Sequence, residues 1–283
     1  MFTLNCKGRL LTIERPVVMG IINATTDSFY TRSRNLHIDA ALRTAEKMFS
    51  DGVTIVDIGG QSTRPGAENV GAAEEAEHIL PIIEAIVKEF PDALISIDTY
   101  YATVARQAID AGARMINDIS GGNLDKDMLQ VAGKLGVPYI CMHMKGTPEL
   151  MQHLADYENV TKEVLDFFIH KIEACRIAGI NDVIIDPGFG FAKTIAQNFE
   201  LLKHLDLLSI LQKPILIGIS RKSMIYKTLN TTPENALNGT TVLNTVALQK
   251  GAHILRVHDV KEAMETIALV QHLTSRTHSS PVQ

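Results

Sequence analysis

Asp98, Asn117 and Asp186 each lie at the end of a short apolar run, and their side chains are of the types that read a flat, nitrogen-rich ring. A carboxylate accepts two parallel hydrogen bonds, which matches the N–C–N edge of an amidine, guanidine or aminopyrimidine. An Asn amide offers both a donor and an acceptor to a second edge. Each carboxylate also has a plainer use, as cap for the helix that follows or as partner to a nearby Lys or Arg. Asp118, beside Asn117, projects to the other side of its run and is read as structural. Arg256 and His258 are two residues apart in one extended stretch and share a face. With Asn23, which closes the first run, they offer a guanidinium, a ring donor and an amide oxygen to a diphosphate and a hard cation. Magnesium takes one or two protein oxygens plus phosphate and water, so a carboxylate cage is not required. The plainer use of Arg256 is a pair with Asp259 or Glu262. Ser220-Arg-Lys-Ser223 stands where a strand turns into a helix, a place where N–H groups and hydroxyls receive anions, carboxylates included. There Lys222 can reach a heterocycle carbonyl, and Ser223 can serve as a plain N-cap. Phe191, in Asp186-Pro-Gly-Phe-Gly-Phe191, lies either against a flat ring or in the core.

These residues need elements that bring them together. Eight short apolar runs, near residues 17, 54, 94, 115, 139, 183, 215 and 254, all end at polar or ionisable groups. Near-continuous apolar runs are the mark of buried parallel strands, and room for a helix separates each from the next. The pattern predicts a single (β/α)8 TIM barrel, whose active site sits at the C-terminal ends of its strands. Residues 2 to 14 alternate about Lys7-Gly8 and predict a β-hairpin ahead of the barrel, capping its bottom. The expected division is 1–15 hairpin, 16–274 barrel and 275–283 polar tail. Helices are expected from Ile38 to Ser50, from Ala73 onward, and over Ala102–Ala111 and Lys126–Leu135. Two more are expected over Val160–Ala178 and Lys261–Thr274, with another after Thr231-Thr-Pro-Glu234.

Composition narrows the function classes. The 283 residues suffice for one barrel, which takes about 250. A net charge of −5 with both signs mixed along the chain argues against nucleic acid as a partner. Positive charge at Arg221-Lys222 and Arg256 is local, where a small anion can be met. Cys6, Cys141 and Cys175 lack metal or redox spacing and read as small apolar groups. No apolar stretch approaches the ~20 residues that span a bilayer, and Met1-Phe-Thr-Leu-Asn does not open as a signal peptide. A reduced, cytoplasmic protein with no membrane partner is expected. Gly-x-Ser-x-Gly, His-Glu-x-x-His and Walker A patterns are missing.

The ordered set of motifs resembles the dihydropteroate synthase family. It comprises Met19-Gly-Ile-Ile-Asn23 with Thr25 and Asp27-Ser-Phe29, Asp57-Ile-Gly-Gly-Gln-Ser-Thr-Arg-Pro-Gly66, Ser96-Ile-Asp-Thr99 and Ile116-Asn-Asp-Ile119. Met142-His-Met144, Asp186-Pro-Gly-Phe-Gly-Phe191, Gly218-Ile-Ser-Arg-Lys-Ser223 and Gly251 to Val260 complete it. The resemblance implies that Asp98, Asn117, Asp186 and Lys222 hold a pterin ring, in a pocket lined by Met142, Phe191 and Gly218. It implies Thr63, Arg64, Arg256 and His258 around a diphosphate, Asn23 as a ligand to Mg2+, and Ser223 with its helix start as receiver of the 4-aminobenzoate carboxylate. Lys222, Arg256, His258 and Asp98 would be the catalytic set. The implied reaction joins 4-aminobenzoate to 6-hydroxymethyl-7,8-dihydropterin diphosphate, in a homodimer built through outer helices. The first loop departs from the family pattern: Thr26 stands for a proline, and Tyr30-Thr-Arg-Ser33 stands for Ser-Asp-Gly-Gly. That change bears on loop closure, on the affinity for 4-aminobenzoate and on whether the protein is a sulfonamide target or tolerates these drugs. A methyltetrahydrofolate-dependent methyltransferase barrel would share the ring-binding residues without needing Ser220–Ser223 or the Arg256–His258 pair. A phosphate-binding aldolase or isomerase would need a Lys or Glu at a strand end. A non-catalytic binding protein would keep the fold alone.

Overall fold

The computed structural model describes residues 1–24, 34–60, 70–148 and 150–274. The hairpin consists of β1 (Phe2–Cys6) and β2 (Arg9–Ile13), paired antiparallel from Phe2↔Ile13 to Cys6↔Arg9. Its turn residues Lys7 and Gly8 have φ of 55° and 92°, the positive pair of a two-residue type I′ turn. Eight parallel strands follow among the described residues: β3 (Val17–Asn23), β4 (Ile55–Gly59), β5 (Ile95–Asp98), β6 (Met115–Asp118), β7 (Tyr139–Met142), β8 (Val183–Asp186), β9 (Leu216–Ile217) and β10 (Ile254–Val257). They run β8-β7-β6-β5-β4-β3-β10-β9, and a parallel bridge between Ile185 and Ile215 closes the ring. The fold is the expected TIM barrel with a separate hairpin.

Side-chain alternation along the strands separates two cores. Val18, Val56, Ile58, Ile95, Ile97, Ile116, Tyr139, Ile185, Ile217 and Leu255 face outward and pack under the helices in the larger core. Met19, Ile55, Met115, Ile140, Ile184, Leu216 and Ile254 face inward and form the lowest layer of the barrel, with Leu94 just before β5. Leu4, Cys6, Leu11 and Ile13 of the hairpin pack against that layer and plug the N-terminal mouth. Asp182 accepts the Asn5 N–H at 2.7 Å and ties the plug to the barrel.

The helices are α1 (Arg34–Ser50), α2 (Ala72–Glu89), α3 (Ala102–Asp110), α4 (Met128–Leu135), α5 (Val160–Ile177), α6 (Ile195–Lys203), α7 (Ser223–Tyr226), α8 (Leu237–Gln249) and α9 (Val260–Thr274), with 3-10 turns at Met151–Leu154 and Leu205–Leu211. The expected helices lie within a few residues of their predicted bounds. The short α7 begins at the helix start expected at Ser220–Ser223, whereas α6 has no counterpart in the expected helices. A capping box starts α6: Thr194 Oγ1 accepts the Gln197 N–H, and Gln197 Oε1 accepts the Thr194 N–H. Gly133 lies inside α4 because a Cβ there would collide with the Ala178 carbonyl beyond α5. The loop expected to depart from the family pattern lies largely outside the described residues, as does the polar tail 275–283.

Candidate active site

Two residues along each strand from the lowest layer, the barrel interior turns polar. Ile55, Leu94, Met115, Ile184 and Ile254 give way to Asp57, Ser96, Asn117, Asp186 and Arg256, while Ile140 and Leu216 give way to Met142 and Gly218. Asp57, Ser96, Asn117 and Asp186 are buried, and Arg256 is largely so. Asp98 stands one layer higher on β5, in register with both Gly59 and Asn117. One hydrogen-bonded network joins four strands. Asp57 Oδ2 accepts from Asn117 Nδ2 at 2.9 Å and from Arg256 Nε at 2.7 Å, while Arg256 Nη2 donates to Asp98 Oδ2 at 2.6 Å. Arg256 is therefore paired with Asp57 and Asp98, and not with Asp259 or Glu262. Burial works to lower the Arg256 pKa, but the two carboxylates hold it above its usual value, so the guanidinium stays charged. Burial pushes the Asp98 carboxyl up to about 7, with Arg256 opposing and Asp57 adding to the rise.

Asp186 ends β8 beside Met142 of β7 and accepts the Gly188 N–H at 2.8 Å. Burial raises its pKa, opposed by Lys222. Lys222 donates to the Phe189 carbonyl at 2.6 Å and stands 4.7 Å from the centre of the Phe191 ring. Burial lowers its pKa to about 8, with Asp186 pulling the other way. A Cβ on Gly218 would come 3.7 Å from Lys222 Nζ and 4.0 Å from Arg256 Cβ, so the glycine keeps the space between these two cations open. Met142 and Phe191 join Tyr100, Ile119, Met144 and Met151 in an apolar cluster around this layer. Phe189 belongs instead to the core beneath the helices, which separates the roles of the two phenylalanines. Asp118 bonds the Tyr139 hydroxyl at 2.6 Å together with Ser120 and Gly122, outside the barrel interior, as expected of a structural residue.

On the side of β9 and β10, Ser220 Oγ lies 3.0 Å from His258 Nδ1 and accepts the His258 N–H at 3.3 Å. Desolvation by the surrounding protein, helped by Arg256, lowers the His258 pKa to about 4, so the imidazole is neutral near pH 7. Arg221 is no anion receiver here. Its guanidinium makes two bonds to Asp259, at 2.8 and 2.9 Å, and its Nη1 reaches the Pro233 and Glu234 carbonyls. Lys222 occupies the N-cap position of α7 and Ser223 is its first helical residue, so Ser223 is not a plain N-cap. Asn23 ends β3 in an exposed position next to β10, whose chain continues to His258. Thr63 and Arg64 lie outside the described residues.

No group of three or more His, Cys, Asp or Glu side chains among the described residues is arranged to hold a metal. A lone exposed amide oxygen at the barrel mouth nevertheless fits Mg2+, which draws most of its ligands from phosphate and water.

The pterin binding enzyme family matches residues 19–258. The dihydropteroate synthase of Escherichia coli K12 is 40% identical over 267 residues, covering 94% of each chain. A structure of Yersinia pestis dihydropteroate synthase with a sulfonamide drug complex superposes with a TM-score of 0.90 at 42% identity, over 96% of this chain and 99% of that one. The chain belongs to the dihydropteroate synthase family. A family member from Xanthomonas albilineans, solved with 4-aminobenzoic acid, has a TM-score of 0.89 at 38% identity, over 96% of this chain and 98% of its own.

Within this dihydropteroate synthase barrel, the structure brings Asp98, Asn117, Asp186, Met142, Phe191, Gly218, Lys222 and Arg256 around one mouth, with His258 and Asn23 at its rim. Sequence reasoning gave no role to Asp57, which is fully buried and holds both Asn117 and Arg256. The available signal was a carboxylate two residues after Ile55, on the inward phase of a buried strand. His143 and Lys193 were also passed over, although both are buried.

Proposed function

We propose that this chain condenses 6-hydroxymethyl-7,8-dihydropterin diphosphate with 4-aminobenzoate, giving 7,8-dihydropteroate and diphosphate. The observation that carries the reading is the polar layer in which Asp98, Asn117, Asp186 and Lys222 stand at one end of the barrel interior beside Gly218. The three acceptor-bearing side chains take the ring's N–H edges, and Lys222 donates to its carbonyl. Met142 and Phe191 cover the ring faces. Arg256 is held charged by Asp57 and Asp98 and supplies positive potential where the diphosphate departs. When Ser220 donates to Nδ1 of His258, the ring proton sits on Nε2 and is available to a phosphate oxygen. Thr63 and Arg64 are assigned to the same diphosphate, and Ser223 with the start of α7 to the 4-aminobenzoate carboxylate. Asn23 would supply one oxygen to Mg2+, which when bound neutralises part of the diphosphate charge. The bond between the pterin methylene carbon and the diphosphate oxygen breaks first, and its electron pair leaves with the diphosphate. The amine nitrogen of 4-aminobenzoate then supplies the pair for the new C–N bond and passes its proton to water or to the departed diphosphate. A carbon made electrophilic in this way needs no strong base. Positional isotope exchange in the diphosphate, measured without 4-aminobenzoate, is expected to scramble the label. Retention of label in a competent enzyme would contradict the stepwise order.

The catalytic unit is taken as residues 16–274, plugged by the hairpin of residues 1–15. A homodimer is supported by exposed apolar side chains on α8 and α9, namely Val242, Leu269 and Leu273. No helix among the described residues is long and apolar enough to cross a membrane, and all three cysteines are buried thiols. A cytoplasmic location agrees with both. Sulfonamides, as analogues of 4-aminobenzoate, are expected to compete at the Lys222–Ser223 end of the site.

A further inference from the structure

Lys193 is 4% exposed, and none of the roles above uses it. Lysine is seldom fully buried unless its charge is matched, and an ammonium taken out of water must find hydrogen-bond acceptors. This one finds three neutral acceptors: the Gly188 carbonyl at 3.0 Å, the Phe191 carbonyl at 3.1 Å and His143 Nδ1 at 3.0 Å. Burial lowers the Lys193 pKa to about 7, with Asp186 opposing. In its protonated form the group has three donors and no acceptor, so the match is complete and requires the His143 proton on Nε2. Burial, with Lys193 adding to it, lowers the His143 pKa well below its usual value, which keeps the ring neutral.

The two carbonyls bracket Phe189 and Gly190. The carbonyl of Phe189 itself receives Lys222 Nζ from the other side. The loop after β8 is therefore held between two lysine Nζ groups, Lys193 inside the protein and Lys222 in the site. Its remaining freedom is small. Gly190 N–H donates to Asn198 Oδ1 at 2.7 Å, and Gly188, at φ 70°, packs so closely that a Cβ would collide with the His143 carbonyl.

We propose that Lys193 is a positioning residue: by holding the Gly188 and Phe191 carbonyls it fixes the Phe189 carbonyl and the Phe191 ring against which Lys222 is set for the pterin. The inference rests on the assignment of Lys222 and Phe191 to the pterin site. It separates two ends of that site, because the Arg256–Asp57–Asp98 network makes no contact with Lys193.

The test is isothermal titration of 6-hydroxymethylpterin and, separately, of inorganic diphosphate with Mg2+ into the full-length wild-type protein and into Lys193→Met and Lys193→Gln. Lys193→Met removes every donor and is expected to weaken pterin binding by about tenfold or more, while the diphosphate affinity stays within about twofold. Lys193→Gln keeps two donors for the two carbonyls, and its pterin affinity should lie between those of wild type and the Met variant. Should the Met variant fail to fold, the Gln variant decides alone: weaker pterin binding with unchanged diphosphate binding supports positioning. Pterin affinity unchanged in the variants, or pterin and diphosphate affinity falling together with the melting temperature, overturns it. A wild-type protein that binds no pterin would instead remove the site assignment on which the inference stands.

Discussion

At the scale of single residues, the site is a problem of keeping charge buried. Asp98 and Asp186 occupy an interior that disfavours carboxylates, and Arg256 and Lys222 are the cations that make their ionisation tolerable. The balance leaves Asp98 titrating at about 7 and Lys222 at about 8. A ring N–H needs an ionised Asp98, and a ring carbonyl needs a protonated Lys222. Pterin affinity should therefore rise as pH increases through about 7 and fall again above about 8. Titration calorimetry across pH 5 to 10 checks this; Asp98→Asn should abolish the acidic limb and weaken binding about tenfold or more. A flat profile in the wild type would show that neither group governs binding. Asp98, Asn117 and Asp186 were legible in the sequence because each closes an apolar run. Asp57 was not, because its run continues past it and the role depends on what reaches it from two other strands. The direction of Arg221 was also hidden: adjacency to Lys222 suggested an anion site, but a left-handed φ of 55° turns its side chain toward Asp259.

At the scale of elements, the same strand supplies both stability and chemistry, divided by height. The lowest inward layer is apolar and sealed by the hairpin; the layers above carry the polar groups. Leu4→Ala, which truncates a side chain only 2% exposed within the plug, is expected to destabilise the fold by about 2–4 kcal/mol. Urea unfolding checks the loss, and pterin affinity should remain at its wild-type value because the polar layers are untouched. A matching loss of affinity would mean that the plug also shapes the site. The strands and the type I′ turn could be read from local pattern alone, since eight apolar runs and a Lys-Gly pair have few other uses. Helix α6 could have been found from Thr194-Ile-Ala-Gln197. The pairing of Lys193 with His143 could not, because it joins the residue after β7 to the loop after β8, whose glycine geometry the sequence does not specify.

At the scale of the whole molecule, the barrel keeps its reacting groups at one end and leaves its outer helices for association. Sedimentation should give twice the 31.1 kDa of one chain, and the double substitution Leu269→Glu with Leu273→Glu should reduce it to a single chain. A wild-type protein that sediments as a monomer would remove the dimer from the account. Everything else depends on whether the mouth carries out the proposed condensation. The direct measurement is diphosphate release by the purified protein given 6-hydroxymethyl-7,8-dihydropterin diphosphate and Mg2+, with and without 4-aminobenzoate, together with identification of the pterin product. Sustained release that depends on 4-aminobenzoate and yields 7,8-dihydropteroate in equal amount is expected. Pterin binding without release, or release that yields no dihydropteroate, would contradict it.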